Sequence, residues 1–204
     1  MNVILAVLGF VALLVGAGTI YQRTGRAGDA RKYPPLGRVI DSWHVYSRGE
    51  GVPPVVLEAG IAATSLSWQL VQPELAKCAQ TVSYDRAGLG WSGASDQPRT
   101  IWNVAEELRI LMDRAGISKP RILVAHSYGA LVVIAYALRH ASDVSGLVLV
   151  DPVPTCEWAQ PSDSHARMLR RAILLSKRGA LLAKLGVVRL ALSLLAAGSL
   201  RLPK

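Results

Sequence analysis

Residues 121–130 read RILVAHSYGA, and this stretch decides the fold. Its first half is a short apolar run with branched side chains, which predicts a buried strand. The long apolar run that starts at Ala130 predicts a helix packed on a sheet. Between them lies Ser127, with the small residues Ala125 and Gly129 two positions away on either side. Since larger neighbours would collide in a sharp strand-to-helix turn, this spacing predicts an exposed nucleophilic serine. An ordinary turn with a capping serine is the other interpretation.

The segments around this turn lie in a specific order. Upstream are VVLEAG at residues 55–60 and YDRAGLGWS at 84–92, and downstream is LVLVDP at 147–152. In this order they resemble the α/β-hydrolase superfamily, in particular its membrane-anchored bacterial members, over residues 33–160. The resemblance implies about six of that family's eight strands. The alternation of strands and helices itself predicts an α/β fold, a mostly parallel sheet with helices on both faces.

Three local predictions accompany this architecture. A short helix is expected from Ser67 to Lys77, and Asn103 is expected to cap the helix that runs to Ala115. The apolar run Leu147 to Val150 is expected to form a further buried strand.

The resemblance also implies a catalytic site. Ser127 is the expected nucleophile, and the backbone N–H groups of Tyr128 and Ile61 are the expected oxyanion hole. The family's chain order is serine, acid, histidine, and Asp151 is the candidate acid, although it could simply start an Asp-Pro turn. No histidine matches the position of the general base.

The loop that begins with Tyr-Asp-Arg resembles the family's structural brace, in which Arg86 pairs with nearby carboxylates or carbonyls. A catalytic role for Asp85 is the less favoured interpretation, because this residue precedes the nucleophile in the sequence. Cys78 and Cys156 lack the spacing of metal ligands, and the histidines are scattered, so no metal and no cofactor are expected.

The amino-terminal end predicts a membrane anchor. Residues 1–22 carry no charged side chain, and the apolar stretch 3–20 is followed by basic residues. About 20 apolar residues span one hydrocarbon core. A cleaved signal peptide is the alternative, but it normally has a basic start and a shorter apolar core. The basic residues after the anchor predict a single-pass protein whose catalytic domain faces the cytoplasm.

The net charge of +9 lies at the other end of the chain. From His165 to Lys204 there are nine Lys and Arg residues and no acidic residue, and the basic residues recur among apolar ones as in an amphipathic helix. Contact with membrane lipid and a lid helix with solvated charges both fit this pattern. Because the charge is localised and aromatic residues are few, nucleic-acid binding is not expected.

These predictions divide the chain into an anchor (1–22), a linker (23–36), the amino-terminal part of an α/β-hydrolase core (37–160) and the start of a helical cap (161–204), within which the chain stops. The expected function is that of a serine hydrolase acting on a small-molecule ester or amide through an acyl-enzyme, impaired in this short form. The alternative is a non-catalytic, membrane-tethered α/β-hydrolase-like binding module.

Overall fold

The computed structural model describes the backbone of residues 2–199 and the side chains of residues 3–156, 158 and 160–198. Its helices and strands are α1 (Asn2–Lys32), β1 (Arg38–Ile40), β2 (Trp43–Arg48), β3 (Val55–Glu58), α2 (Gln72–Leu75), β4 (Thr81–Tyr84), α3 (Ile101–Arg114), β5 (Arg121–His126), α4 (Gly129–Arg139), β6 (Val144–Val150), α5 (Thr155–Ala159), α6 (Asp163–Lys184) and α7 (Val187–Ser199). Two 3₁₀ turns cover Ser65–Trp68 and Ala141–Asp143. The chain forms two compact units, Pro35–Ala159 and, separately, Met1–Pro34 with Gln160–Lys204.

The first unit is built on one six-stranded sheet with the order β1-β2-β4-β3-β5-β6. Strands β4, β3, β5 and β6 are parallel, whereas β1 and β2 pair antiparallel at one side. The predicted α/β fold with a mostly parallel sheet is thereby confirmed. All four residues of β3 are buried, because this strand has a neighbour on each side and is covered on both faces.

Two apolar layers cover the sheet. Successive side chains of a strand point to opposite faces, and Val56 belongs to the larger layer while Val55 and Leu57 belong to the smaller one. The larger layer packs under α3 and α4, and the smaller one contains Trp68. Because β3, β4, β5 and β6 are parallel, their carboxyl ends lie at one edge of the sheet. The loops that follow these strands lie side by side at that edge.

The expected helix up to Ala115 and the expected strand over Leu147 to Val150 are present, but the three local predictions differ from the structure in their details. Thr100, not Asn103, caps α3, because the Thr100 hydroxyl accepts the Asn103 N–H at 3.2 Å. Instead of the expected helix over Ser67 to Lys77, the chain forms the 3₁₀ turn Ser65–Trp68 and then the short α2. The 3₁₀ turn is held at its start by a hydrogen bond from Ser65 N–H to Asp85. Strand β6 is exposed rather than buried from Leu147 to Val150, because it forms the edge of the sheet.

The second unit is helical. Helix α1 continues through most of the predicted linker and ends at Lys32, where Ala, Arg and Lys favour helix. Arg189 on α7 bonds to Gln22 and to Asp29 of this continued part. Within the described residues, the segment Val3–Lys32 is long and apolar enough to cross a membrane. Helices α6 and α7 are bent by 81° relative to each other, and they satisfy the same criterion only when they are taken together as one segment.

Candidate active site

The turn between β5 and α4 has the geometry that the sequence predicts for a nucleophile. Ser127 has a φ of +53°, a left-handed conformation that residues with a side chain rarely adopt. Its N–H donates to the Val150 carbonyl at 3.0 Å, and its own carbonyl accepts the Ala130 N–H at 3.1 Å. These hydrogen bonds hold Ser127 in a strained backbone conformation, which is common at functional residues.

Gly129 shows why the turn requires small residues. A Cβ atom placed on Gly129 would lie 2.7 Å from the Ala59 carbonyl oxygen, 2.8 Å from Glu58 Cγ and 2.9 Å from the Glu58 carbonyl oxygen. These distances are shorter than a carbon atom tolerates, so only glycine fits between α4 and the end of β3. The expected need for a small residue at this position is confirmed.

The loop after β3 lies directly against the serine. A Cβ atom on Gly60 would be 3.6 Å from Ser127 Cβ and 3.0 Å from the Nδ1 atom of His126. Within the part of the chain that the structure describes, neither Ile61 N–H nor Tyr128 N–H donates a hydrogen bond to protein. The structure therefore brings together the predicted nucleophile and two backbone donors that have no acceptor.

A buried charge cluster supports this loop from the other side. Glu58 at the end of β3 is fully buried, and it accepts hydrogen bonds from the Tyr84 hydroxyl and the Arg86 guanidinium. Arg86 also donates to the carbonyls of Ala59, at 2.7 Å, and of Gly60. The brace contacts expected for Arg86 are thus present. Burial raises the pKa of Glu58, and the cation of Arg86 and the Tyr84 hydroxyl oppose this shift.

Asp85 is surrounded by different partners. Its carboxylate accepts the N–H groups of Ser65 at 2.7 Å and Trp91 at 3.0 Å, and it lies 3.0 Å from the Nδ1 atom of His44. The other ring nitrogen of His44 bonds to the Leu36 carbonyl. Burial would lower the pKa of His44, but Asp85 and the Leu36 carbonyl raise it above the usual value, which favours the protonated ring. When His44 is protonated, its contact with Asp85 is a buried ion pair.

Asp151 lies where the resemblance places a candidate acid. It follows β6 directly, is exposed and has a φ of +45°. Because Ser127 N–H bonds to the preceding Val150 carbonyl, Asp151 stands next to the nucleophile turn in the sheet. Its carboxylate is a candidate for orienting a histidine, and its left-handed φ before Pro152 fits the alternative of an Asp-Pro turn as well.

Two of the histidines are engaged away from the serine. His140 at the end of α4 lies 3.0 Å from Glu106, and His44 is paired with Asp85. His126 is exposed beside Gly60. These contacts assign local partners to His140 and His44, and they leave the general base unassigned in this unit.

Sequence reasoning missed the roles of Glu58 and His44. Glu58 ends the otherwise apolar strand Val55–Glu58, and His44 lies between apolar residues in the first half of the strand Trp43–Arg48. An ionisable residue in such a strand must find a partner when it is buried. An ionisable residue beside apolar residues was therefore the signal available in the sequence. This signal does not identify the residue that pairs with Glu58 or with His44.

Comparisons with known proteins identify the family of the chain. The family model described as "alpha/beta hydrolase fold" matches residues 53–187. An AB hydrolase superfamily protein of Gibberella zeae is 39% identical over 103 residues, which are 48% of this chain and 32% of that protein. The uncharacterised protein YqjL of Bacillus subtilis is 34% identical over 107 residues, 52% of this chain and 42% of that protein.

A thermophilic esterase from Thermogutta terrifontis is a similar solved structure, with 25% identity and a TM-score of 0.56. The match covers 64% of this chain and 46% of the esterase, so the chain spans less than half the length of each of these relatives. The family model covers more than half of the chain, and the sheet, the serine turn and the loop after β3 lie in the order typical of these enzymes. The chain therefore belongs to the alpha/beta hydrolase fold family.

Proposed function

We propose that the chain carries the nucleophile and the oxyanion hole of a serine hydrolase that cleaves a small-molecule ester or amide through an acyl-enzyme. The observation that supports this most strongly is Ser127, held at a left-handed φ between β5 and α4. Two N–H groups also support the proposal, those of Tyr128 and of Ile61, neither of which donates a hydrogen bond to protein within the described residues. Among the relatives, the Thermogutta terrifontis protein is an esterase, which favours an ester.

The proposed reaction proceeds in two steps. Ser127 Oγ attacks the carbonyl carbon of the substrate and gives its proton to a general base, while the carbonyl oxygen becomes an oxyanion that Tyr128 N–H and Ile61 N–H stabilise. The C–O or C–N bond then breaks, and the leaving group takes that proton. Water hydrolyses the acyl-enzyme by the reverse sequence. Asp151 is the candidate for the acid that orients the base.

A binding module without catalytic activity is the second candidate. It is favoured by the engagement of His44 with Asp85 and of His140 with Glu106, which leaves the base unassigned. Loss of general-base catalysis costs ~10²–10⁴-fold in rate. We therefore expect the 204-residue chain to react slowly at best.

Attachment to a membrane is part of the proposal. Residues 3–20 lie in the apolar helix α1, whose side chains are exposed, as an anchor in lipid requires. The basic residues that follow favour a single pass with the core on the cytoplasmic side. Residues 161–204 are proposed as the start of a cap, and the basic and apolar helix α6 offers a second contact with lipid.

A fluorophosphonate probe tests the proposal on the 204-residue chain in isolated membranes. We expect slow labelling that is abolished by Ser127→Ala and accelerated by added imidazole, which supplies an external base. The matched control is Ser145→Ala, which changes an exposed serine on β6 and should label like the parent chain. A carbonate wash should leave the labelled chain in the membrane pellet.

Each result decides a different part of the proposal. Labelling that persists in Ser127→Ala would show that another residue is the nucleophile. If imidazole produces no labelling at all, the binding module is the better description. Release of the chain by carbonate would contradict the anchor.

A further inference from the structure

Arg86 contacts both the backbone of the loop after β3 and the residue after the nucleophile. It follows the carboxyl end of β4 and is 7% exposed. One nitrogen of its guanidinium donates to Glu58 and to the Ala59 carbonyl, and the other donates to the Gly60 carbonyl. The guanidinium carbon also lies 5.6 Å from the centre of the Tyr128 ring.

The hydrogen bond to Gly60 determines how one peptide group is oriented. In a trans peptide the C=O and the N–H point in opposite directions. The Gly60 carbonyl belongs to the same peptide as the Ile61 N–H, and it points to Arg86. The Ile61 N–H must therefore point away from Arg86, and it has no acceptor in the described chain.

Glu58 keeps Arg86 in the position that this orientation requires. The carboxylate is fully buried at the end of β3 and pairs with the same guanidinium nitrogen that donates to Ala59. A planar guanidinium can satisfy a carboxylate and two carbonyls at once, whereas an ammonium group offers no such fixed fork. The pair is thus a rigid support for two successive peptide groups.

We propose that Arg86, held by Glu58, is a positioning residue of the oxyanion hole: it orients the Gly60–Ile61 peptide so that the Ile61 N–H faces the oxyanion formed at Ser127. This inference rests on the proposed function. Without Arg86, the donor that remains for the Gly60 carbonyl within the described residues is the Ala63 N–H, at 3.3 Å, and the peptide is held less firmly.

A second buried arginine provides a matched control. Arg121 is fully buried at the amino end of β5, away from the loop after β3. Like Arg86, it pairs with a carboxylate, that of Asp113 at 2.7 Å, and donates to a backbone carbonyl, that of Ile117 at 2.7 Å. Arg121→Lys therefore changes another buried arginine, whose carboxylate partner Asp113 is partly exposed, but leaves the Gly60–Ile61 peptide in place.

The test is an NMR comparison of ¹⁵N-labelled chain in detergent, with Arg86→Lys and Arg121→Lys as variants. Lysine keeps the charge beside Glu58, so the first variant should still fold. We expect Arg86→Lys to broaden or split the Gly60 and Ile61 amide signals, because the peptide then adopts more than one orientation. Arg121→Lys should leave both signals unchanged. Unchanged Gly60 and Ile61 signals in Arg86→Lys would overturn the inference, whatever the labelling rate.

Fluorophosphonate labelling adds a functional readout. Loss of one oxyanion donor slows such reactions by ~10²–10³-fold, and a donor that is misplaced for part of the time should cost less, about tenfold. We expect that decrease in Arg86→Lys and not in Arg121→Lys, and equal rates in both variants would contradict the inference. If the parent chain shows no labelling even with imidazole, the proposed function fails, and the NMR signals alone decide on the peptide.

Discussion

Strands β5 and β6 are parallel neighbours with similar apolar sequences, yet they have different surroundings. Leu123 in β5 is fully buried, whereas its register partner Leu147 in β6 is 40% exposed. At its carboxyl end, β5 leads into a turn where Gly129 is packed against the end of β3. The end of β6 leads to the exposed Asp151. Similar sequences therefore form one strand that tolerates little change and one that tolerates much.

The reason lies in the order of the sheet rather than in the strands themselves. A continuous apolar run predicts a strand, but burial depends on what covers it. β5 has β3 on one side and β6 on the other, while β6 is the last strand of the sheet. We expect substitutions in the covered part of the sheet to affect the free energy of unfolding, and substitutions along β6 to affect association.

The largest difference should be between two glycines. Gly129→Val places a branched side chain where even a Cβ atom would lie 2.7 Å from the Ala59 carbonyl oxygen. Overpacking commonly costs about 1–3 kcal/mol, and here the colliding atoms are backbone, so we expect a loss of about 3 kcal/mol or more. Gly146→Val is the matched change in β6, where the nearest atom, Ile122 Cγ1, is 4.0 Å away.

Urea unfolding followed by circular dichroism in detergent measures both variants. Gly146→Val should change the free energy of unfolding by no more than a surface substitution does, about 0.5 kcal/mol. If Gly129→Val unfolds like the parent chain, the turn at Ser127 is not the tight turn described above. If Gly146→Val unfolds at as low a urea concentration as Gly129→Val, then β6 is covered and does not differ from β5 in burial.

The covered part of the sheet should also give stability a pH dependence. Burial alone would raise the pKa of Asp85, but His44 and the N–H groups of Ser65 and Trp91 lower it below the usual value. Burial alone would lower the pKa of His44, but Asp85 and the Leu36 carbonyl raise it. The Asp85 contribution is therefore present above its usual pKa of about 3.9 and is lost as the pH falls through the lowered value.

The sign is opposite for His44. Its contribution is complete below the usual histidine pKa of about 6.5 and is lost as the pH rises through the raised value. We expect the urea midpoint to decline on the alkaline side in the parent chain and to decline less in His44→Gln. Asp151→Asn, which changes an exposed carboxylate after β6, should keep the parent profile. A profile that is equally steep in His44→Gln would show that the buried pair is not its origin.

The sequence predicted the elements that depend on local pattern. The strand, serine turn and helix around Ser127 were placed within one residue of their observed bounds, because periodicity and small residues are local signals. In α3, the apolar residues at helical spacing, which include Leu108 and Met112, are buried. The hydrolase fold followed from the order of these elements.

The partners of the buried charges could not be predicted in the same way. Glu58 meets Arg86 only because β4 lies beside β3 in the sheet, and that order is not written in either segment. The same holds for His44 and Asp85, which β2 and β4 bring together. Residues 23–32 are polar and contain Gly25 and Gly28, which is typical of a linker, yet helix α1 continues through them to Lys32.

The smallest effect on unfolding is expected at the edge itself. Val148 is 48% exposed on β6, and an uncovered edge strand invites pairing with another chain. Val148→Lys should leave the free energy of unfolding within about 0.5 kcal/mol of the parent value. It should also reduce dimers and larger species in sedimentation experiments in one detergent, because a charge on an edge strand blocks such pairing. The same substitution at its register partner Val124, which is 9% exposed, should prevent folding because it buries an unpaired charge. A large loss of stability in Val148→Lys would mean that β6 is covered in solution, and its exposure would then not distinguish it from β5.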